Sequence, residues 1–143
     1  MKKTMQSTAI LLLALVLFAA LVACDTTEEA PPTLWDNATY QTDTELGSGA
    51  KTIAVEVVLP DKQVTFTVHT DQDTVGAALL EHGLIAGEQG AYGLYVKVVN
   101  GITADYDVDQ SYWAFQINGE YAMTGVDTTE ITEGETYQLV YTK

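Results

Sequence analysis

Three aspartates at alternate positions, Asp105, Asp107 and Asp109, have a spacing that could do chemistry, because carboxylate oxygens are ligands that Ca²⁺ prefers. A calcium loop of the EF-hand type beginning at Asp105 would need Gly at its sixth position and Glu at its twelfth. The chain has Gln110 and Gln116 at these positions. The pattern therefore predicts a solvated acidic loop and no dedicated metal site, with a weak cation site as the alternative.

The two histidines of the chain give little support for catalysis. His69 falls on the polar face of an expected strand, and His82 precedes Gly83 at the end of an expected helix, where an imidazole usually caps or packs. The sequence contains no nucleophile-elbow motif and no paired-histidine metal spacing. A carboxylate pair for glycoside hydrolysis would need a larger cleft than short hairpins provide. We therefore predict a protein that is not an enzyme.

Aromatic side chains are concentrated in the second half of the chain. They are Tyr92, Tyr95, Tyr106, Tyr112, Trp113, Phe115, Tyr121, Tyr137 and Tyr141. Tyrosine and tryptophan combine a wide, rigid surface with a polar edge, which suits a large amphipathic ligand. Alternation along residues 112–117 places Trp113 and Phe115 on one face of a strand, and this face is expected to be core. The pattern favours five ligand-binding candidates: Tyr92, Gly93, Tyr95, Tyr112 and, more weakly because of this alternation, Trp113.

The charge of the chain excludes several classes of partner. Its 20 acidic residues outnumber its 6 basic residues, giving a formal net charge of −14, and no arginine occurs. Nucleic acids and anionic lipid headgroups are bound mainly by lysine and arginine. Phosphorylated substrates usually require arginine forks or a glycine-rich phosphate loop. We therefore predict no nucleic-acid partner.

Cys24, the only cysteine, stands at the end of an apolar run. Lys2 and Lys3 precede residues 9–23, which contain no polar side chain. This run is shorter than the ~20 residues of a membrane span and is typical of a signal peptide. The sequence Leu21-Val-Ala-Cys24 resembles the lipobox of bacterial lipoproteins. The resemblance implies a signal peptide at 1–23, diacylglycerol on the Cys24 sulfur and an extracytoplasmic protein anchored to the cell membrane. The alternative is an ordinary cleaved signal peptide.

The rest of the chain divides into a predicted tether and a predicted domain. Residues 24–50, beginning with the lipidated cysteine, have no sustained period and predict a flexible acidic tether, in which the packing of Trp35 and Tyr40 stays open. Alternation predicts strands over 51–59, 64–69, 94–98, 112–117, 120–123 and 137–141. Asn100-Gly101 and Asn118-Gly119 predict two turns, the second a type I′ hairpin turn in which both residues have positive φ. A short helix at 75–82, capped by Thr70 or Asp73, separates the second and third strands. Residues 51–143 thus predict a small α+β domain, most simply a β-grasp.

Several segments of residues 51–143 resemble a family of bacterial surface domains similar to the C-terminal β-domain of transcobalamin and intrinsic factor. They are Gly93-Leu-Tyr-Val, Tyr112-Trp-Ala-Phe-Gln-Ile-Asn-Gly-Glu-Tyr-Ala, Gly125-Val and Ile131-Thr-Glu-Gly-Glu-Thr-Tyr. The resemblance implies a β-grasp-like fold and binding of a corrinoid, a cobalamin-type ligand. In transcobalamin-like proteins a separate helical domain takes the other face of the ligand, and the sequence shows no counterpart of it. Under this reading His82 could coordinate cobalt.

Together these features predict a membrane-anchored lipoprotein that captures a corrinoid or similar amphipathic ligand and passes it to a vitamin transporter. The alternative is a docking module that binds a second surface protein through a sheet edge or its aromatic patch.

Overall fold

The described residues, 29–143, come from a computed structural model and contain one 3₁₀ turn, two short helices and nine strands. The elements are the 3₁₀ turn Leu34–Asn37, β1 Thr44–Gly47, β2 Lys51–Val58, β3 Gln63–Thr70, α1 Val75–Glu81, β4 Ile85–Gly90, β5 Gly93–Val99, β6 Ile102–Thr103, α2 Tyr106–Asp109, β7 Tyr112–Ile117, β8 Glu120–Tyr121 and β9 Thr136–Thr142. The predicted signal peptide and Cys24 lie outside the described residues. Between residues 29 and 143, no helix is long and apolar enough to cross a membrane.

The strands form two sheets, and the predicted α+β class is confirmed. The larger sheet has the order β1-β3-β2-β9-β7-β8, with β1 parallel to β3 and β2 parallel to β9. The smaller sheet is antiparallel and has the order β4-β5-β6. Residues 32–143 belong to one compact unit. Residues 29–31 belong to a separate unit and carry no helix or strand.

Alternating apolar residues of β2 and β3 build the centre of the core. Ile53, Val55 and Val57 of β2 are buried, as are Val64, Phe66 and Val68 of β3. The register pairs Val55 with Phe66 and Val57 with Val64, so that the two buried sets share one face of the hairpin. The hairpin predicted from sequence is therefore confirmed.

Helix α1 covers this apolar face, but its cap differs from the prediction. Val75, Ala78 and Leu79 are buried as expected. The N-cap is Thr74, whose hydroxyl accepts a hydrogen bond from the Ala77 amide at 3.3 Å. Thr70 instead lies at the end of β3. Gly83, with a φ of +63°, follows the helix as expected.

Residues 33–47 form an ordered strap across the domain, which corrects the prediction of a tether up to residue 50. The indole of Trp35 is buried, with the Lys62 ammonium 5.4 Å from its ring centroid. Tyr40 packs edge to face on Phe66. The strap then ends as β1, which pairs in parallel with β3. Two aromatic contacts and a strand ladder thus order a segment that has no sequence period.

Asn100 fastens the strap to the smaller sheet. Its side chain accepts a hydrogen bond from the Tyr40 amide at 2.9 Å and donates one to the Tyr40 carbonyl at 2.8 Å. Its own carbonyl accepts from the Thr39 amide. Asn100 is 1% exposed and has a φ of +49°, as expected for the two-residue turn Asn100-Gly101.

Three further segments differ from the predictions. Residues 85–90 form β4. No strand was predicted there, because the Ala, Gly, Glu and Gln residues of this segment give no β signal. The expected acidic loop contains the short helix α2, whose N-cap Asp105 accepts from the Asp107 amide. The return strand β8 covers only Glu120–Tyr121.

We predict that Asn100→Ala lowers the free energy of unfolding by about 2 kcal/mol more than Asn118→Ala, because it leaves two polar groups of Tyr40 without partners. Asn118 is a matched control, since it precedes Gly119 in a similar turn and has a φ of +51°, but is exposed. Urea unfolding of the full-length chain measures both. Equal losses would show that the two hydrogen bonds between Asn100 and Tyr40 add nothing to stability.

Candidate functional site

The β4–β5 hairpin carries the most exposed aromatic side chain of the described residues. Tyr92 is 100% exposed at the turn between the two strands. Tyr95, on β5, is also exposed, and its ring lies 6.0 Å from the Lys97 ammonium. A fully exposed tyrosine at a hairpin turn packs on nothing in its own domain. Its ring is therefore available for contact with a ligand.

Asp127 fixes the base of this turn. Its Oδ2 accepts a hydrogen bond from the Leu94 amide at 3.0 Å. Gly93 has a φ of +109°, and a Cβ at this position would lie 2.8 Å from Oδ1 of Asp127. Gly93 is therefore required both by its backbone conformation and by the close carboxylate. We infer a conformational role for Gly93, since it shapes the turn that presents Tyr92.

The loop that carries Asp127, residues 122–129, is itself held against the start of α1. The Val126 carbonyl accepts from the Gly76 amide at 2.7 Å, and the Thr129 carbonyl accepts from the Val75 amide at 2.9 Å. Gly76 is buried against the backbone of Asp127 with no room for a Cβ. The first free amides of the helix are thus satisfied by the loop.

Two more exposed apolar side chains lie at the beginning of this loop. Met123 is 98% exposed, and Tyr121 is 65% exposed on β8. The Ala122 amide between them donates to the Phe115 carbonyl, which ties this stretch to β7. Asp127 therefore joins the two segments that carry Tyr92, Tyr121 and Met123. We call these three side chains the tip set.

Sequence reasoning assigned no site role to Met123, which belongs to the tip set, or to Asp127, which fixes the turn of Tyr92. Met123 and Asp127 lie in an aperiodic loop, for which no periodic pattern exists to place a side chain. Asp127 occurs within Gly125-Val-Asp, which begins two positions after Met123. A methionine close to a glycine, in a stretch without alternation, was the signal that the sequence offered.

Tyr112 and Trp113 lie away from the Tyr92 turn. The Trp113 indole nitrogen donates to the Ile102 carbonyl at 3.2 Å, and Ile102 pairs with Val99, the last residue of β5. Gly93, at the other end of β5, is roughly 20 Å away at the usual rise per residue. Trp113 is 6% exposed, so it is a core residue, as the alternation predicted, and we remove it from the candidate set. Tyr112 is half-buried beside Thr142.

The two histidines lie on other elements, His69 on β3 and His82 at the end of α1. Nε2 of His69 lies 2.6 Å from a Glu45 carboxylate oxygen, and Nδ1 lies 2.9 Å from the Thr52 hydroxyl. Nε2 of His82 is buried close to Gly47 and 3.9 Å from a Glu81 oxygen, and within residues 29–143 it has no hydrogen-bond partner. His82 follows the last turn of α1, whereas the loop of Asp127 contacts the first. The geometry therefore gives no support to cobalt coordination by His82 at the tip set.

The aspartates of α2 make contacts within the protein. Asp109 accepts from both the amide and the hydroxyl of Ser111 and forms an ion pair with Lys143 at 3.0 Å. The hydrogen bond from the Ser111 hydroxyl contributes most to lowering the pKa of Asp109 below its usual value, and the hydrogen bond from Lys143 contributes next. Among residues 29–143, no group of three or more His, Cys, Asp or Glu side chains has a geometry that could hold a metal ion.

Each lysine of the described residues contacts an acidic or aromatic side chain. The pairs are Lys51–Asp73 at 2.7 Å, Lys62–Trp35, Lys97–Glu88 at 3.4 Å and Lys143–Asp109. Glu88 contributes most to raising the pKa of Lys97 above its usual value. Because these cations already have partners, the remaining carboxylates give the surface an acidic excess.

Comparison with known proteins identifies the family. Residues 72–143 match the model of a family described as a domain of unknown function, DUF4430. The chain belongs to the DUF4430 family. The match includes α1, the β4–β5 hairpin and the loop of Asp127, so the whole tip set lies within the DUF4430 segment. No curated protein matches the chain.

Two solved structures share the DUF4430 fold of this chain. A candidate metal-binding protein from Ruminococcus gnavus is 33% identical, with a TM-score of 0.61, and the match covers 65% of this chain and 97% of that one. Haptocorrin in complex with Cbi is 19% identical, with a TM-score of 0.51, and the match covers 68% of this chain but 27% of haptocorrin. The similarity predicted from sequence to a transcobalamin-like β-domain is thus supported at the level of the fold.

We predict that Asp127→Ala speeds hydrogen exchange of the Leu94 amide by about tenfold, because that amide loses its acceptor. Asp127→Asn is the matched control, since it keeps an oxygen acceptor and removes the carboxylate charge beside Gly93. Exchange measured by mass spectrometry on the full-length chain compares them. Unchanged exchange in Asp127→Ala would show that the carboxylate does not hold the turn.

Proposed function

We propose that this DUF4430 protein binds an amphipathic small ligand of the corrinoid type at the tip set, without converting it chemically. The observation that carries the proposal is the fully exposed Tyr92 on a turn fixed by Asp127. A ring presented by a fixed turn loses little conformational entropy on binding, so its contact area contributes to affinity. The fold shared with haptocorrin, which was solved in complex with Cbi, supports the choice of ligand.

The charge and chemistry of the described surface agree with such a ligand. A corrinoid carries its own metal, so its capture does not require a cluster of metal-ligating side chains. The acidic surface disfavours ligands whose recognition depends on an anionic group. Tyr92 and Tyr121 offer flat rings with hydroxyl groups, which match a large ring edged with amides. The thioether of Met123 adds an adaptable apolar contact.

The open geometry of the tip suggests how the ligand is passed on. A single exposed surface covers one side of a large flat ligand, and its other side stays in water until a second protein contacts it. The proposal therefore includes a transporter component as the acceptor of the ligand. A ligand that one protein binds loosely and a second protein then covers is suited to transfer rather than storage.

We further propose that the chain is exported by a signal peptide at 1–23 and anchored to the cell membrane through a lipid on Cys24. The sequence pattern supports this proposal.

Calorimetry tests the ligand with the full-length chain in detergent micelles, titrated with cyanocobalamin and with dicyanocobinamide. We expect binding to at least one of them and an affinity about tenfold lower for Tyr92→Ala, with an unchanged melting temperature because the side chain packs on nothing. Tyr106→Ala is the matched control, since Tyr106 is exposed on α2, outside the tip set. Absence of binding, or equal losses in both variants, would refute the proposal.

Lipidation is tested by labelling the full-length chain with radioactive palmitate in its native cells. We expect label and membrane-fraction recovery for the natural sequence, and loss of both for Cys24→Ser, because serine has no thiol to accept the lipid. Retention of label in Cys24→Ser would place the lipid elsewhere and contradict the anchor.

A further inference from the structure

Strand β4 is an exposed edge of the smaller sheet. It lies at the end of the order β4-β5-β6, so that among residues 29–143 no strand pairs with the other side of its backbone. Ile85 is its only buried residue, and the five residues 86–90 are all exposed. An edge of this kind presents unpaired N–H and C=O groups that can accept another strand.

The other sheet edges among the described residues are shorter. β8 and β6 have two residues each, and β1 has four. Short edge strands are a common way to block unwanted pairing. β4 has six residues, contains no proline and is interrupted only by an irregularity between Ala86 and Gly87. It is therefore the longest terminal strand of the two sheets and offers a template for an added strand.

The charge around β4 selects the kind of strand that would pair with it. Glu88, the only charged residue of β4, lies 3.4 Å from the Lys97 ammonium of β5 but its side chain stays 73% exposed, and the protein as a whole carries a formal net charge of −14. In an antiparallel pair of two β4 strands, the two Glu88 side chains would lie near the centre and repel each other. A second copy of this chain is thus a poor partner, whereas a strand with lysine or arginine is complementary.

We propose that β4 is a docking edge that pairs with an extended, basic segment of another protein, which adds a fourth strand to the β4-β5-β6 sheet. The two glycines of β4, Gly87 and Gly90, leave the edge without side chains at these positions, so that a partner backbone can approach closely. Main-chain hydrogen bonds supply affinity, and the acidic surface supplies the preference for positive charge. The docking edge is distinct from the tip set, so the proposal does not depend on the identity of a small ligand.

Hydrogen exchange of the full-length chain in detergent tests the docking edge with two capped probe peptides, (Lys-Val)₄ and (Glu-Val)₄. We expect (Lys-Val)₄ to slow exchange of amides within 86–90 at least about fivefold, because the added strand covers them. We expect no protection from (Glu-Val)₄. Protection should weaken as salt is raised from 50 to 500 mM, since charge attraction is screened.

Two charge-reversal variants separate a strand edge from general attraction to an acidic protein. Glu88→Lys should weaken binding of (Lys-Val)₄ at least about fivefold, whereas Glu133→Lys, at an exposed turn, should leave it within about twofold. Equal losses, or protection spread over other acidic segments, would overturn the proposal. If hydrogen-exchange protection of β4 rises with protein concentration in the absence of peptide, the edge pairs with a second copy of this chain. That result would also overturn the proposal.

Discussion

The hydrogen bond from the Leu94 amide to Asp127 is the constraint on which the proposed ligand-binding end of this protein depends. It joins the first residues of β5 to a loop that also satisfies the first amides of α1. At the other end of β5, Asn100 binds the strap. The smaller sheet is thus fastened at both ends of one strand by buried or half-buried polar side chains. Such bonds position the hairpin because leaving their partners unsatisfied is costly.

The two proposed surfaces share this hairpin and differ in chemistry. The tip set is apolar and aromatic and extends from the turn after β4, whereas the docking edge is the backbone of β4 itself. A protein strand added along β4 would end close to the turn that carries Tyr92. Under the two proposals, ligand binding and strand docking would be compatible on one hairpin, and a docked partner would lie close to the ligand.

Sequence patterns predicted those parts of the fold whose residues act locally. The alternation of β2 and β3 and the positive φ values at Asn100-Gly101 and Asn118-Gly119 follow from neighbouring residues, and the structure confirms them. The strap and β4 were missed because tertiary contacts order them. Trp35 contacts Lys62, and β4 pairs with β5, although neither the strap nor β4 has a periodic pattern of apolar residues.

The candidate site was predictable in part for the same reason. Tyr92, Gly93 and Tyr95 are brought together on one hairpin because they are close in sequence. Asp127 is 33 positions from the amide that it binds, and no local rule connects the two. Trp113 shows the reverse case, in which a strand pattern correctly indicated burial for an aromatic residue that composition alone favoured as a ligand contact.

The central claim is that the segments joined by Asp127 form a ligand-binding surface. Amide chemical shifts of the isotope-labelled full-length chain, recorded while dicyanocobinamide is added, test it most directly. The account predicts shift changes concentrated in residues 91–95 and 121–128. Changes concentrated around Tyr112 and α2, or no changes at millimolar ligand, would contradict it.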